Sequence, residues 1–205
     1  MPNKILTKGV RSRKQPYNSK DVVASVARGI ADLKSKDVYK RIKKFLDHKN
    51  ILDVGVGAGG VFGFLKEKGF NMTGIDVADI SLFEDTKARI YDGHNFPYQD
   101  NSFDIALIIQ VLHHCEDGLR VLSEAKRVAK RVIVIEDTYR SEFERSIVST
   151  SDKLGNWEFY EHNYHTAKWW KKYLGKKKYK TLHFEEYSTI SYLVQYGRYV
   201  FFVIE

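Results

Sequence analysis

Residues 51–60 read ILDVGVGAGG, an apolar run that breaks into four glycines, and this stretch decides the fold. Glycines at this spacing after a strand let a nucleotide approach the backbone. Gly55 to Gly60 fits G-x-G-x-x-G, the dinucleotide fingerprint, but the same residues together with Asp53 also fit D-x-G-x-G-x-G. The glycines alone therefore leave the choice of nucleotide open.

Strand-like and helix-like segments alternate downstream of this loop. Predicted strands read NILDVG, NMTGID, ARIYDG, FDIALIIQV and RVIVIED, and predicted helices read GVFGFLKEKG, ADISLFEDTK (residues 78–87, short) and EDGLRVLSEAKRVA. Parallel strands need crossover connections, so this alternation predicts a Rossmann-like parallel sheet with helices on both faces. FDIALIIQV is the most apolar strand and is expected at the centre of the sheet.

The two ends of the chain depart from this alternation. Residues 18–33 and 34–48 each carry a cap signal followed by helical periodicity, which predicts two N-terminal helices. Residues 141–175 are predicted to be helical, interrupted by NWEFYEHNYH at 156–165. Two strand-like runs then follow with no helix between them, and they can pair only as an antiparallel hairpin. The predicted fold is a doubly wound, mostly parallel seven-stranded sheet that ends in this hairpin.

Composition and charge restrict the class of protein. The chain has 205 residues and is 43% hydrophobic, so we expect one folded domain over 19–205 after a mobile basic segment, 1–18. Residues 1–50 hold 14 Lys and Arg against 4 Asp and Glu, and 168–180 holds seven lysines. A single cysteine, the lack of a secretory signal and the short apolar runs predict a cytoplasmic protein without a membrane span.

Two acidic residues bear on the identity of the nucleotide, and the second of them discriminates between the candidates. Asp76 ends the second predicted strand, where a carboxylate can accept both ribose hydroxyls of an adenosine, whether in NAD or in S-adenosylmethionine (SAM). Asp53 lies just before the glycines, where it would oppose a pyrophosphate. SAM has no phosphate but carries a cationic sulfonium and an ammonium group, so Asp53 favours SAM.

Further motifs resemble one family. The class I SAM-dependent methyltransferases, particularly the small type 11 group, carry D-x-G-x-G-x-G after their first strand, as in DVGVGAG at 53–59. YDGHNFPYQDNSFDIALIIQVLHH at 91–114 resembles the family block G-D-A-x-x-L-P-F-x-D-x-S-F-D, with Tyr91 where the family has a glycine. VLHHCED at 111–117 is similar to the exit of the family's fourth strand, and the resemblance covers residues 38–137.

The resemblance implies a SAM site, with S-adenosylhomocysteine (SAH) as the product. Asp92 takes the position of the aspartate that binds the adenine amino group, and Gly93 follows it. The cofactor-binding residues that we expect are Asp53, Gly55, Val56, Gly57, Gly59, Asp76, Val77, Asp92, Gly93 and Gln110.

The sequence contains fewer indications of the methyl acceptor. His113, His114 and Tyr139 follow the fourth and fifth strands and are the candidates for a general base. His162 and His165 lack a carboxylate or cysteine set that would complete a metal site, so no metal is expected.

A small-molecule acceptor is the first hypothesis. The alternatives are an RNA or protein methyltransferase that uses the basic segments, a SAM-binding module without catalysis, and an NAD-linked oxidoreductase, which Asp53 disfavours.

Overall fold

The computed structural model describes residues 22–47, 50–83, 85–156, 162–191 and 195–205, and the predicted mobile segment 1–18 lies outside these ranges. The α-helices within them are α1 (Val22–Ile42), α2 (Gly60–Glu67), α3 (Gly118–Val128), α4 (Glu142–Asn156) and α5 (Ala167–Lys177). The strands are β1 (Asn50–Val54), β2 (Asn71–Asp76), β3 (Arg89–Ile90), β4 (Phe103–Ile109), β5 (Ala129–Asp137), β6 (Thr181–Ser191) and β7 (Gln195–Ile204). Over the described residues, no helix is both long enough and apolar enough to cross a membrane.

The strands form one sheet in the order β3-β2-β1-β4-β5-β7-β6. The first five strands in this order, from β3 through β2, β1 and β4 to β5, pair in parallel. Strand β7 pairs antiparallel with both β5 and β6. The predicted sheet, its central strand and its terminal hairpin are therefore confirmed. The winding of the chain reverses between β1 and β4, so the ligand crevice of such a sheet falls at the carboxyl ends of these two strands.

Each face of the sheet carries its own apolar core. On one face α3 and α5 bury Leu122 and Trp170 against the strands. On the other face α1 and α2 bury Ile42 and Leu65. Burying such a side chain contributes about 1.5–3 kcal/mol, and the two cores together pack the helices onto both faces of the sheet. The predicted helices on both faces are confirmed.

The N-terminal region differs from the prediction of two helices. The described residues form one continuous helix, α1, followed by a 3-10 turn over Lys43–Phe45. Ser35, which resembled a new N-cap, donates its hydroxyl proton to the carbonyl of Ala31, 2.6 Å away. An ion pair of 2.6 Å between Lys36 and Asp32 crosses the expected break. The helix continues because Ser35 bonds backwards along it and no proline interrupts it.

The short helix predicted over 78–87 is also wrong, since the described residues of this stretch form a loop. The hydroxyls of Ser81 and Thr86 both donate to the carbonyl of Phe83, at 2.9 and 2.8 Å. The N–H of Leu82 donates to the carbonyl of Ala58 in the glycine loop, 3.0 Å away. Local side-chain bonds thus replace the helical ladder and fasten this loop to the glycines.

Candidate functional site

The glycine loop joins β1 to α2 at the carboxyl edge of the sheet. Gly55, Gly57 and Gly59 have φ values of 75°, 54° and 85°, a left-handed conformation that side chains rarely adopt. The N–H of Gly55 donates to the carbonyl of Ile75 at 2.8 Å, which ties the loop to β2. Gly59 precedes the first turn of α2, so the loop leads into a helix N-terminus.

Asp76 fastens the loop from the end of β2. One carboxylate oxygen accepts the N–H of Gly57 at 2.8 Å, and the other accepts the N–H of Ala78 at 3.2 Å. Burial raises the pKa of Asp76, and the N–H donors oppose that rise. Each carboxylate oxygen has two acceptor sites, so both can also take a hydroxyl of a ribose.

Asp53 lies on β1 beneath the loop and is only 3% exposed. Burial raises the pKa of Asp53 to about 7, the negative charge of Asp76 adds to the rise, and Lys34 opposes it. A carboxylate with this pKa takes up a proton near neutral pH unless a cation stabilises its charged form.

Val77 and Gly93 lie side by side beyond Asp76. Val77 is 48% exposed, and a Cβ added to Gly93 would lie 3.3 Å from Cγ1 of Val77. Next to them, Asp92 accepts the N–H groups of Asn95 and His94 at 2.7 and 2.8 Å. These bonds, with the side-chain bond from Asn95, lower the pKa of Asp92 to about 2. An exposed apolar surface with an ionised carboxylate at its edge has the character of a base-binding site.

Val56 and Gln110 differ in what they can offer a ligand. Val56 is buried and packs against Gly74. A Cβ added to Gly74 would lie 2.5 Å from Cγ2 of Val56. Only the backbone of Val56 can therefore serve a ligand. Gln110 has φ of 57°, unusual for a residue with a side chain, and its amide donates to Asp137 at 2.8 Å. Such strained backbone clusters at functional sites.

His113 and Glu136 form a buried pair at the ends of β4 and β5. Nδ1 of His113 lies 2.6 Å from Oε2 of Glu136, and the two side chains are 3% and 2% exposed. The other oxygen of Glu136 accepts the N–H groups of Val111 and Leu112 at 2.8 and 2.7 Å. Glu136 therefore fixes the position and the tautomer of the imidazole, and Nε2 becomes the ring atom that takes up a proton.

A cavity of about 200 Å³ opens beside this pair. Its lining includes His113, Glu136, Asp137 and Trp170. Val111, which precedes the lining residues Leu112 and His113, contacts the glycine loop, since a Cβ added to Gly55 would lie 2.6 Å from Cγ2 of Val111. The carboxyl ends of β1 and β4 thus bring the predicted cofactor loop and this cavity together.

The three predicted general bases are placed differently. Among the described residues, His113 lines the cavity, whereas His114 and Tyr139 do not. The guanidinium carbon of Arg145 lies 5.8 Å from the centroid of the Tyr139 ring. His114 packs against His113, with ring centroids 4.0 Å apart.

The described part of the aromatic stretch 156–165 packs onto the His113 segment. Residues 157–161 lie outside the described ranges. The ring of Tyr164 stacks on that of His113 at 5.0 Å, and the N–H of Asn163 donates to the carbonyl of His113 at 2.9 Å. Asn163 and His165 line the cavity. The sequence indicated only that the stretch 156–165 could line the substrate site or pack onto the sheet, and it assigned no individual role to Asn163 or His165; Glu136 was indicated only by its position at a strand end.

Comparison with known proteins agrees with this geometry. Residues 52–132 match the sequence family described as a methyltransferase domain. A demethylmenaquinone methyltransferase from Thermotoga maritima is 34% identical over 92 residues, which cover 40% of this chain and 40% of that protein. In the curated relatives, the matched segments span less than half of their length.

Solved structures share the fold. A SAM-dependent methyltransferase from Methanosarcina mazei superimposes with a TM-score of 0.64 at 18% identity, covering 81% of this chain and 96% of the other. Magnesium protoporphyrin IX methyltransferase from Synechocystis, crystallised with SAH, gives 0.61 at 15% identity, covering 92% and 90%. The fold is therefore that of the class I methyltransferases. Residues 52–132, less than half of the chain, resemble the methyltransferase domain family in sequence.

Proposed function

We propose that this protein transfers the methyl group of SAM to a small-molecule acceptor. The observation that carries the proposal is the pair of carboxylates, Asp53 and Asp76, on either side of the glycine loop. The charge of Asp53 suits the sulfonium and ammonium groups of SAM and would oppose a pyrophosphate, and Asp76 can accept the ribose hydroxyls. The loop itself is tied down by Asp76, so it is organised before a ligand binds.

The proposed cofactor site follows the carboxyl edge from β1 to β3. Asp53 stabilises the cationic methionine end, while the N–H groups at the start of α2 face its carboxylate. Asp76 accepts the ribose hydroxyls, and Val77 packs on the adenine. Asp92 accepts a hydrogen bond from the adenine amino group.

His113 is proposed as the general base. Methyl transfer is an in-line displacement at carbon, and alignment of donor and acceptor supplies about 7–11 kcal/mol of the barrier reduction. An acceptor that carries a removable proton also needs a base. His113 lines the cavity and is oriented by Glu136 at 2.6 Å, which stabilises the imidazolium that forms.

Calorimetry with SAM, SAH and NAD tests the cofactor. SAM and SAH should bind, and NAD should not. Replacing Asp76 by Asn removes a charge that accepts hydrogen bonds, each worth about 1.5–3 kcal/mol, so SAM affinity should fall about 10–100-fold. Asp79→Asn, an exposed carboxylate three residues on, is the matched control and should bind SAM normally. Binding of NAD without SAM would refute the proposal.

SAM affinity should depend on pH through Asp53. The pKa of Asp53 is about 7, and a neighbouring cation favours the charged form. Affinity should therefore rise by up to about tenfold per pH unit below pH 7 and level off above it. Calorimetry between pH 5.5 and 8 measures this rise, which Asp53→Asn should flatten.

The same pKa has a consequence for stability. A pKa raised from 3.8 to about 7 means that the folded protein holds this proton more tightly than the unfolded chain does. The contribution of Asp53 to the free energy of unfolding thus decreases as pH rises from about 4 through 7. Urea titrations across this range should show the decrease in the wild type, and Asp53→Asn should lack that component. An unchanged pH profile in the variant would contradict the assignment.

RNA is the second candidate acceptor, because α5 presents exposed lysines beside the cavity. Lys168, Lys171 and Lys172 are exposed on this helix, and its Trp170 lines the cavity. Lysines that neutralise phosphates make binding steeply dependent on salt. Titration with a mixed transfer RNA preparation at 50 and 200 mM salt separates the candidates, since a small-molecule enzyme should bind it weakly or not at all.

A further inference from the structure

The charge of the cavity lining points to the chemical class of the acceptor. Eleven residues of the described chain line the cavity, and none of them is Lys or Arg. Four are carboxylic acids, namely Glu116, Asp117, Glu136 and Asp137. We propose that the acceptor is a small basic amine whose nitrogen receives the methyl group, an inference that rests on the proposed methyltransferase function.

Two of the carboxylates lie at the inner wall. Glu136 is satisfied by His113 and by two backbone N–H groups. Asp137 receives one amide hydrogen bond, from Gln110 at 2.8 Å, and its Oδ2 atom lies 3.9 Å from Nε2 of His113. Burial raises the pKa of Asp137, while His113, this hydrogen bond and Lys34 oppose the rise. A ligand ammonium beside Asp137 would add a further counter-charge.

The other two carboxylates lie at the rim, next to the first turn of α3. The side chain of Glu116 is 68% exposed, and Nε2 of His94 lies 3.9 Å from it. Asp117 caps α3, accepting the N–H of Arg120 at 2.9 Å. Charges of one sign along a cavity attract ligands of the opposite sign and disfavour anions. The four carboxylates therefore extend from the rim of the cavity to its inner wall, and the lining contains no lysine or arginine.

The size and the remaining walls favour an organic cation. Within the described ranges, no group of three or more His, Cys, Asp or Glu is arranged to hold a metal ion. The volume of about 200 Å³ is below the ~300–1,000 Å³ of drug-sized ligand sites, so the acceptor is compact. The rings of His165 and Trp170 line the same cavity, and aromatic faces attract ammonium groups.

The chemical step follows from this placement. The ammonium of the acceptor gives one proton to Nε2 of His113, and the nitrogen lone pair then attacks the methyl carbon of SAM. A nitrogen–carbon bond forms as the sulfur–carbon bond breaks, and its electron pair stays on sulfur to give neutral SAH. The products are the N-methylammonium ion, SAH and the proton on His113, which passes to solvent.

Three probes that share a phenylethyl group and differ in the charged or neutral group at its end test the charge preference. We would titrate 2-phenylethylamine, 3-phenylpropionate and 2-phenylethanol into the protein saturated with SAH, and follow SAH release when SAM replaces it. The amine should bind at least about tenfold more tightly than the other two, and it alone should accelerate SAH release. The variant Glu116→Gln/Asp117→Asn should lower that preference several-fold. The control Asp100→Asn, which removes an exposed carboxylate outside the cavity lining, should leave the preference unchanged.

Several outcomes would overturn the inference. These are tight binding of the carboxylate or the alcohol, failure of all three probes to bind, or SAH release that responds to transfer RNA instead of the amine. SAM binding is measured separately, so a protein that binds SAM but fails this test keeps the proposed function and loses only the amine acceptor. A protein that does not bind SAM loses both.

Discussion

Replacing His113 by Gln is expected to lower kcat by about 10²–10⁴-fold, the contribution typical of a positioned general base. His113 is the candidate base that both lines the cavity and bonds a buried carboxylate. The SAM dissociation constant should stay within a few-fold of wild type, because the imidazole belongs to the acceptor side. The measurement is SAH release under saturating acceptor, with SAM affinity determined by calorimetry.

The pH profile separates a catalytic role from a structural one. In the wild type kcat should rise with pH as the imidazole loses its proton, and in His113→Gln that limb should be absent. Glu136→Gln should also lower kcat, since Glu136 acts as a positioning residue. His114→Gln is the control in the same segment and should keep both the rate and the profile. If the His113 variant kept the wild-type profile, His113 would have only a packing role.

Replacing Gly59 by Ala should destabilise the protein by about 2–5 kcal/mol and abolish SAM binding. The left-handed conformation costs about 1–2 kcal/mol for a residue with a side chain, and overpacking adds about 1–3 kcal/mol. A Cβ here would overlap the hydroxyl of Thr86 and lie 2.8 Å from that of Ser81. Both hydroxyls are buried and bonded to Phe83, so they cannot yield easily.

Gly57→Ala is the matched control for this prediction. Gly57 has φ of 54°, but the nearest atom to an added Cβ is the carbonyl oxygen of Gly55 at 3.9 Å. The substitution should therefore cost only the backbone term, about 1–2 kcal/mol. Urea denaturation compares the two variants. Equal losses of stability would show that the contact of Gly59 with the 81–86 loop does not matter.

The sheet and the cofactor side of the site could be predicted from the sequence because they depend on patterns within short stretches of the chain. Strand–helix alternation follows from short-range periodicity, and the spacing of Asp53, the glycines and Asp76 follows from strand ends meeting at one edge. That geometry is observed, since the N–H of Gly57 lies 2.8 Å from Asp76. The roles of these residues in binding SAM stay predictions.

The acceptor side was less predictable because its contacts join distant parts of the chain. Glu136 lies 23 residues after His113, and no sequence pattern links them. Local sequence patterns also led to two wrong predictions of helix boundaries and helices. Ser35 resembled a helix cap but bonds backwards within α1, and residues 78–87 resembled a helix although Leu82 is bonded to the glycine loop. In both cases a hydrogen bond that the sequence could not specify decided the outcome.

The contact of Val111 with Gly55 has a consequence for redesign of specificity. The side chain of Val111 occupies the space that a Cβ on Gly55 would need, so position 111 supports the glycine loop from the segment that leads into the cavity-lining residues Leu112 and His113. A larger side chain at position 111 would therefore press on the glycine loop. Positions on α3 and α5 that face the cavity lie away from this contact. Directed evolution toward new acceptors should therefore accumulate its changes on those two helices and conserve the valine.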